Sequence, residues 1–264
     1  MKAFLPRIGC AGPGGAPGRL PEGDMILLAG RAALLPASRT LLIADLHLGK
    51  AATFRKAGIP VPEGSSGEDL TRLDGLIATH SVKRVLILGD LLHAAAGCTP
   101  QVVGEFRTLR DRHPATGFVL ILGNHDLAAR RIGADLGLDS CLSVLDEAPY
   151  RFVHIAATGS DRHEDDKAEP GLTAGIGLVI AGHVHPRVVI RSPSGDRLAE
   201  RCFHLEGSVF TLPAFGSFTG GQTVSPSATA RVWLARDDGV LDVTGLVRPA
   251  ERRRHRGGDF NPVR

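Results

Sequence analysis

The chain is short of the residues that announce thiolate or covalent chemistry. It has four cysteines, Cys10, Cys98, Cys141 and Cys202, and no two form a C-x-x-C pair. Such scatter excludes a zinc ribbon and a disulfide scaffold, and it fits a reducing cytoplasm. No apolar stretch approaches the length of about 20 residues that spans a bilayer, so no membrane anchor is expected. The N-terminus has no apolar signal-peptide core, and Arg7 lies where a lipoprotein site before Cys10 needs an apolar residue, so the start reads as uncleaved. Around Gly49-Lys50 the G-x-x-x-x-G-K-[ST] frame of a phosphate-binding loop is missing. There is no G-x-S-x-G nucleophile elbow and no catalytic-cysteine signature. Charge of one sign is not in great excess either: the formal net charge is +3, which permits a polyanionic partner without requiring one.

What is present is ordinary globular material, 43% hydrophobic and 22% charged over 264 residues, enough for one large domain. Residues 1–24 contain Gly-Pro-Gly-Gly-Ala-Pro-Gly and too little apolar matter to fold, so a disordered tail is expected there, with Met25 an alternative start. The domain is expected over 25–249. A basic tail, 250–264, carries Arg252-Arg253-Arg254-His255-Arg256 and reads as a solvated end.

Within the domain, short and nearly continuous apolar runs at Thr40–Ala44, Val85–Leu88, Phe118–Leu122 and Leu178–Ala181 predict strands buried on both faces. Between them, Glu68–Ser81 and Thr99–Arg112 have helical spacing, with Leu70, Leu73, Ile77 and Val102, Phe106, Leu109 on one side. That alternation predicts an α/β layered domain. After Arg187 the pattern turns to strand-and-turn signals, a hairpin around Ser192–Asp196 and a strand over Thr229–Leu234, so a second, more antiparallel sheet is expected.

Each buried run ends in ligand-type side chains. They are Asp45-Leu46-His47, Gly89-Asp90, Gly123-Asn124-His125-Asp126 and Gly182-His183-Val184-His185. Loops leaving the carboxyl ends of neighbouring strands converge in such domains, so these residues can meet. Side chains at i and i+2 of an extended segment point the same way, which predicts that Asp45 with His47, and His183 with His185, act as pincers. The glycines are expected where the backbone turns sharply or approaches the site closely. Carboxylates, imidazoles and an amide oxygen, without a thiolate, suit divalent manganese, iron or zinc. There are donors for two ions, and a pair roughly 3.5–4 Å apart with a shared carboxylate can clamp the attacking and leaving oxygens of phosphoryl transfer.

The order D-x-H, G-D, G-N-H-D, a lone histidine, then G-H-x-H resembles the calcineurin-like metallophosphoesterase superfamily. A narrower likeness covers about Met25 to Val247. "ADLHLGKAATFRKAGIPVPEG", "LILGDLLHA", "AGHVHP" and "LPAFGSFTGG" are similar to the bacterial ligase-associated DNA damage response endonucleases. The resemblance implies a four-layer αββα sandwich with two mixed central sheets. It implies that Asp45, His47, Asp90 and His185 hold one metal, with Asp90 bridging to a second held by Asn124, His183 and the lone histidine. For that histidine His163, followed by an acid beyond the apparent strand, is the first choice and His154 the alternative. His125 matches the family's general acid and Asp126 its orienting partner. His93 is either substrate-facing or structural, and His80, His113 and His204 read as structural.

The expected activity is hydrolysis of phosphodiester bonds with two divalent ions, manganese first, and DNA as substrate in repair. Lys50, Arg55, Lys56, Arg130 and Arg131 follow the motifs where they could neutralise flanking phosphates. A DNA ligase or helicase partner and a cytoplasmic location are implied by the likeness. The rivals are a phosphoesterase for nucleotides, other small esters or phosphoproteins, and a non-catalytic scaffold.

Overall fold

Leu41 to Ile43, Val85 to Leu88 and Phe118 to Ile121 are almost uniformly apolar and β-prone, and in the computed structural model they become adjacent parallel strands. The structure describes residues 25–61, 65–126, 134–156, 175–191 and 194–247. Both expected tails lie outside the described residues.

The first sheet has six strands in chain order: β1 (Ile26–Leu28), β2 (Ala32–Leu35), β3 (Thr40–Ile43), β4 (Arg84–Leu88), β5 (Gly117–Ile121) and β6 (Ser140–Leu142). The first two joins are antiparallel and the last three parallel. In register, Ile43 lies beside Ile87 and Leu88 beside Ile121, so the loops after three strands open at one edge.

The second sheet is also mixed. It comprises β7 (Leu145–Glu147), β8 (Tyr150–Phe152), β9 (Leu178–Ala181), β10 (Pro186–Arg191), β11 (Arg197–Glu206), β12 (Val209–Thr211), β13 (Gln222–Thr223), β14 (Arg231–Ala235) and β15 (Val240–Asp242). Its main path is β13-β10-β11-β12-β9-β8-β7, with β14 added to β11 and β15 to β14. The expected hairpin is the antiparallel β10–β11 pair, in which Arg191 faces Arg197.

Alternation along the strands decides the layers. Leu42, Leu86, Leu88 and Ile121 point at the second sheet and pack with Phe152, Ile180, Phe203, Phe210 and Trp233. Leu41, Ile43, Val85, Ile87, Phe118 and Leu120 point the other way, onto helices α2 (Ser65–His80) and α3 (Pro100–Arg112). Those helices contribute Leu70, Leu73 and Ile77, and Val102, Phe106 and Leu109, the spacings read from the sequence. Thr99 caps α3 by accepting a hydrogen bond from the Val102 amide at 3.3 Å, with Pro100 at the first turn. Each fully buried Leu or Phe contributes about 1.5–3 kcal/mol. Helix α1 (Lys50–Lys56) lies apart from these two, directly after the first ligand loop. The outer face of the second sheet holds a smaller cluster, Val188, Cys202, Val232, Leu234 and Val243, to which no described helix contributes.

Candidate metal centre

The ligand loops leave the two sheets at a shared end and bond to one another. The Asp45 amide donates to Gly89 O at 3.1 Å, His47 to Asp90 O at 2.8 Å and Leu48 to Leu91 O at 2.8 Å, so the first two loops run side by side. The "LPAFGSFTGG" segment supports the first loop from its other side, through Phe215 N to Ala44 O at 2.7 Å and Gly216 N to Asp45 O at 3.2 Å.

Asp45, His47, Asp90, His183 and His185 all have positive φ, between 46° and 67°. The pincers therefore do not arise from extended backbone, as the one-residue spacing predicted. The strands end before the ligands, and left-handed residues swing the side chains inward instead. Only glycine adopts this region freely, so five such side chains represent strain held by the surrounding bonds.

The donors form two groups. Asp45, His47 and His185 each offer an atom within 4.8 Å of the others; Asp90, His154 and His183 form the second group. His185 Nε2 is 3.2 Å from Asp45 Oδ1 and 3.5 Å from His47 Nε2. Asp90 reaches both groups, with Oδ2 at 3.7 Å from His47 Nε2 and Oδ1 at 3.5 Å from His154 Nε2. Asn124 Oδ1 lies 3.0 Å from His154 Nε2, at the second group. The Asp45 carboxylate also accepts the His183 amide at 3.0 Å, tying the second sheet's loop to the first's.

Two glycines are required by close approach. A Cβ on Gly89, whose φ is +79°, would overlap the His154 imidazole; one on Gly123 would overlap the Asp90 carboxylate.

Asp45 and Asp90 are 0% and 2% exposed, and among the described residues neither pairs with a lysine or arginine. Their charged-type neighbours are histidines, and burial holds His183 below the usual range and His47 down at about 2, reinforced by His185, Lys50, His93 and His125. Neutral imidazoles present lone pairs but no compensating charge, while buried carboxylates without counter-charge are costly. A pair of divalent cations fits both requirements, and the donor set is the oxygen and imidazole type that such ions prefer.

The calcineurin-like phosphoesterase family model matches residues 38–154. Among solved structures, the crystal structure of Pseudomonas putida nuclease MPE is 35% identical over 83% of this chain and 94% of that one, with a TM-score of 0.64. The chain belongs to the calcineurin-like phosphoesterase family. Another solved structure, of the Aquifex aeolicus protein AQ665, is 17% identical over 55% of this chain and 78% of that chain, with a TM-score of 0.38. A comparison with curated proteins returned no match. As a calcineurin-like phosphoesterase the protein is a metal-dependent hydrolase with two candidate metal sites.

This phosphoesterase brings together nearly every residue singled out by sequence. Asp45, His47, Asp90, Asn124, His183 and His185 all converge. His163, the first choice for the lone histidine, lies outside the described residues, as do Arg130 and Arg131. The structure puts the alternative, His154, into the second group, because β8 ends at Phe152 and His154 already belongs to the following loop. Its Nδ1 is 3.0 Å from Leu88 O, which leaves Nε2 to face the group.

Asp126 is 1% exposed. Its two oxygens accept amides, Leu92 N at 3.1 Å and Gly123 N at 3.0 Å, so it shapes the loop that carries Asn124 and His125. Burial pushes its carboxyl up to about 6. His125 is exposed, its amide donates to Asp90 Oδ1 at 3.0 Å, and its ring stacks on His93 at 5.6 Å. From His93 the aromatic row continues to Phe54 at 5.9 Å and on to the exposed Phe218 at 5.7 Å. His93 thus belongs to the rim of the site. His113 pairs with Asp74 at 2.6 Å, and His204 lies 3.4 Å from Glu206.

Proposed function

We propose that the protein is a DNA endonuclease or phosphodiesterase acting in repair, with one divalent ion held by Asp45, His47 and His185, a second by Asn124, His154 and His183, and Asp90 shared. The observation that carries the reading is the reach of the buried Asp90 carboxylate to both donor groups, at 3.7 and 3.5 Å. Such ions, manganese first and iron or zinc equally suited to the donors, supply Lewis acidity toward a phosphate and lower the pKa of water.

The chain's own residues do the rest. His125, exposed at the mouth, donates a proton to the leaving oxygen; its amide bond to Asp90 fixes it beside the shared carboxylate. Asp126 holds the loop so that this geometry persists. Lys50 adds positive charge beside His47 and His93, where a polyanion approaches.

A nucleic-acid substrate is supported by two things. One is the likeness to a protein described as a nuclease over 94% of its length. The other is the aromatic row from His125 to Phe218, which offers ring faces of the kind on which nucleobases stack. A cytoplasmic location and a DNA ligase or helicase partner belong to the same reading and rest on the resemblance of the sequence motifs.

The deciding experiment measures cleavage of a plasmid and of bis-p-nitrophenyl phosphate, with manganese added or chelated, for wild type, Asp90→Ala and His125→Ala. Metal-dependent cleavage of both substrates is expected, with a loss on the order of 10²-fold or more in each variant. Cleavage of the small ester alone would exchange DNA for a small phosphate ester, and inertness with every divalent metal would leave a scaffold.

A further inference from the structure

Away from the metal donors, a cavity of about 450 Å³ is lined by Arg31, Arg187, Glu200, Arg201, Arg236, Asp237 and Asp238. Two of its arginines are cross-strand partners: Arg187 on β10 faces Arg201 on β11. Like charges directly opposite in an antiparallel pair destabilise it. Neither forms an ion pair among the described residues. Arg187 donates to Ala199 O at 2.6 Å, and Arg201 to Ser217 O at 2.8 Å and Thr219 O at 2.7 Å.

A third arginine, Arg31, joins them although only 5% of it is exposed. It reaches Asp237 through one nitrogen at 3.0 Å, while its Nε, like that of Arg187, is buried with no hydrogen-bond partner. Four arginines line the cavity against three acids, Glu200, Asp237 and Asp238. Asp237 and Asp238 are exposed rim residues already paired with Arg31 and Arg236. Burial lowers Arg201 to about 10; Arg31, Arg72 and Arg187 nearby add to the shift while Asp69 opposes it.

We propose that this cavity is a phosphate-binding subsite in which Arg31, Arg187 and Arg201 hold a phosphate of the same nucleic-acid strand that is cut at the metal centre. Guanidinium N–H groups match phosphate oxygens in geometry and charge. The cavity is connected to the centre by chain. Arg187 lies two residues after His185, and Arg201 holds the loop that presents Phe218. The inference rests on the nuclease reading for the source of the phosphate.

The test uses the full chain with chelator present, so that nothing is cut, and a fluorescently labelled oligothymidylate titrated at several salt concentrations. Inorganic phosphate is titrated separately by calorimetry. Arg187→Gln and Arg31→Gln are compared with wild type and with Arg197→Gln, which removes an equal charge from an exposed position on β11. Thermal melts confirm that each variant is folded. Arg187→Gln is expected to weaken oligonucleotide binding roughly tenfold or more and to reduce the salt slope by about one. Arg197→Gln is expected to change affinity less than twofold.

If the folded cavity variants match Arg197→Gln, the subsite is overturned while oligonucleotide binding by wild type keeps the nuclease reading intact. If wild type ignores the oligonucleotide yet binds inorganic phosphate and Arg187→Gln does not, the strand assignment is overturned in favour of a free-phosphate site.

Discussion

His154 Nε2 stands 3.0 Å from Asn124 Oδ1 and 3.5 Å from Asp90 Oδ1, while the other ring nitrogen faces Leu88 O. One imidazole from the second sheet is thereby locked against two loops of the first. His154→Ala is expected to lose one bound metal equivalent and at least about 100-fold in phosphodiesterase activity, whereas His163→Ala stays within a few-fold of wild type. Metal analysis of the purified variants beside turnover of bis-p-nitrophenyl phosphate decides it; a reversed pattern would return the assignment to His163.

Gly89→Ala probes the same contact from the backbone. The added methyl overlaps the His154 ring, and φ is +79°, so both sterics and conformation oppose it. A destabilisation of about 2 kcal/mol or more is expected, together with lost metal binding. Gly104→Ala, on α3 with open space around it, should instead be neutral or slightly stabilising in the same melts.

Asp126 and His125 separate shape from chemistry. Asp126→Ala orphans the Leu92 and Gly123 amides and should lower stability by about 1–3 kcal/mol, with activity falling as the loop loosens. His125→Ala removes an exposed ring, so it should leave the melting temperature nearly unchanged while activity collapses. Equal melting shifts in the two variants would contradict this division.

Arg84 and Glu147 bind through two hydrogen bonds of 2.6 Å, joining β4 of the first sheet to β7 of the second. Hydrogen bonding to Arg84 holds the Glu147 carboxyl below its usual range. A depressed folded pKa means that the stabilisation is present above the unfolded value, about 4.3, and is lost as pH falls through the folded value. With Glu147 40% exposed, solvent screening limits the contribution to under about 1 kcal/mol. Glu147→Gln should therefore lower the melting temperature slightly at pH 7 and narrow the gap from wild type below pH 4.

Local signals carried much of this structure. Leu178–Ala181 is a strand with the bounds its residues suggest, and the apolar faces of α2 and α3 are where periodicity puts them. The ligand runs were legible because each follows a buried strand. The means of convergence was not: alternation implied extended pincers, but left-handed backbone is imposed by bonds between loops distant in sequence. His154 looked like a strand residue because Val153 and Ile155 flank it, and only pairing shows that the strand has ended. The arginines of the cavity, Arg31, Arg187, Arg201 and Arg236, are spread along the chain, so no window of sequence could join them.

The left-handed backbone at Asp45, His47, Asp90, His183 and His185 has a bearing on any attempt to make this enzyme hardier. Substituting glycine at positive φ is a standard route to a more relaxed fold, and a search driven by thermal tolerance alone would be drawn to these five positions. Each gain there would delete a donor. Selection for robustness and selection for turnover thus pull in opposite directions on the same peptide units, and a library scored by heat resistance should be counter-screened for metal content.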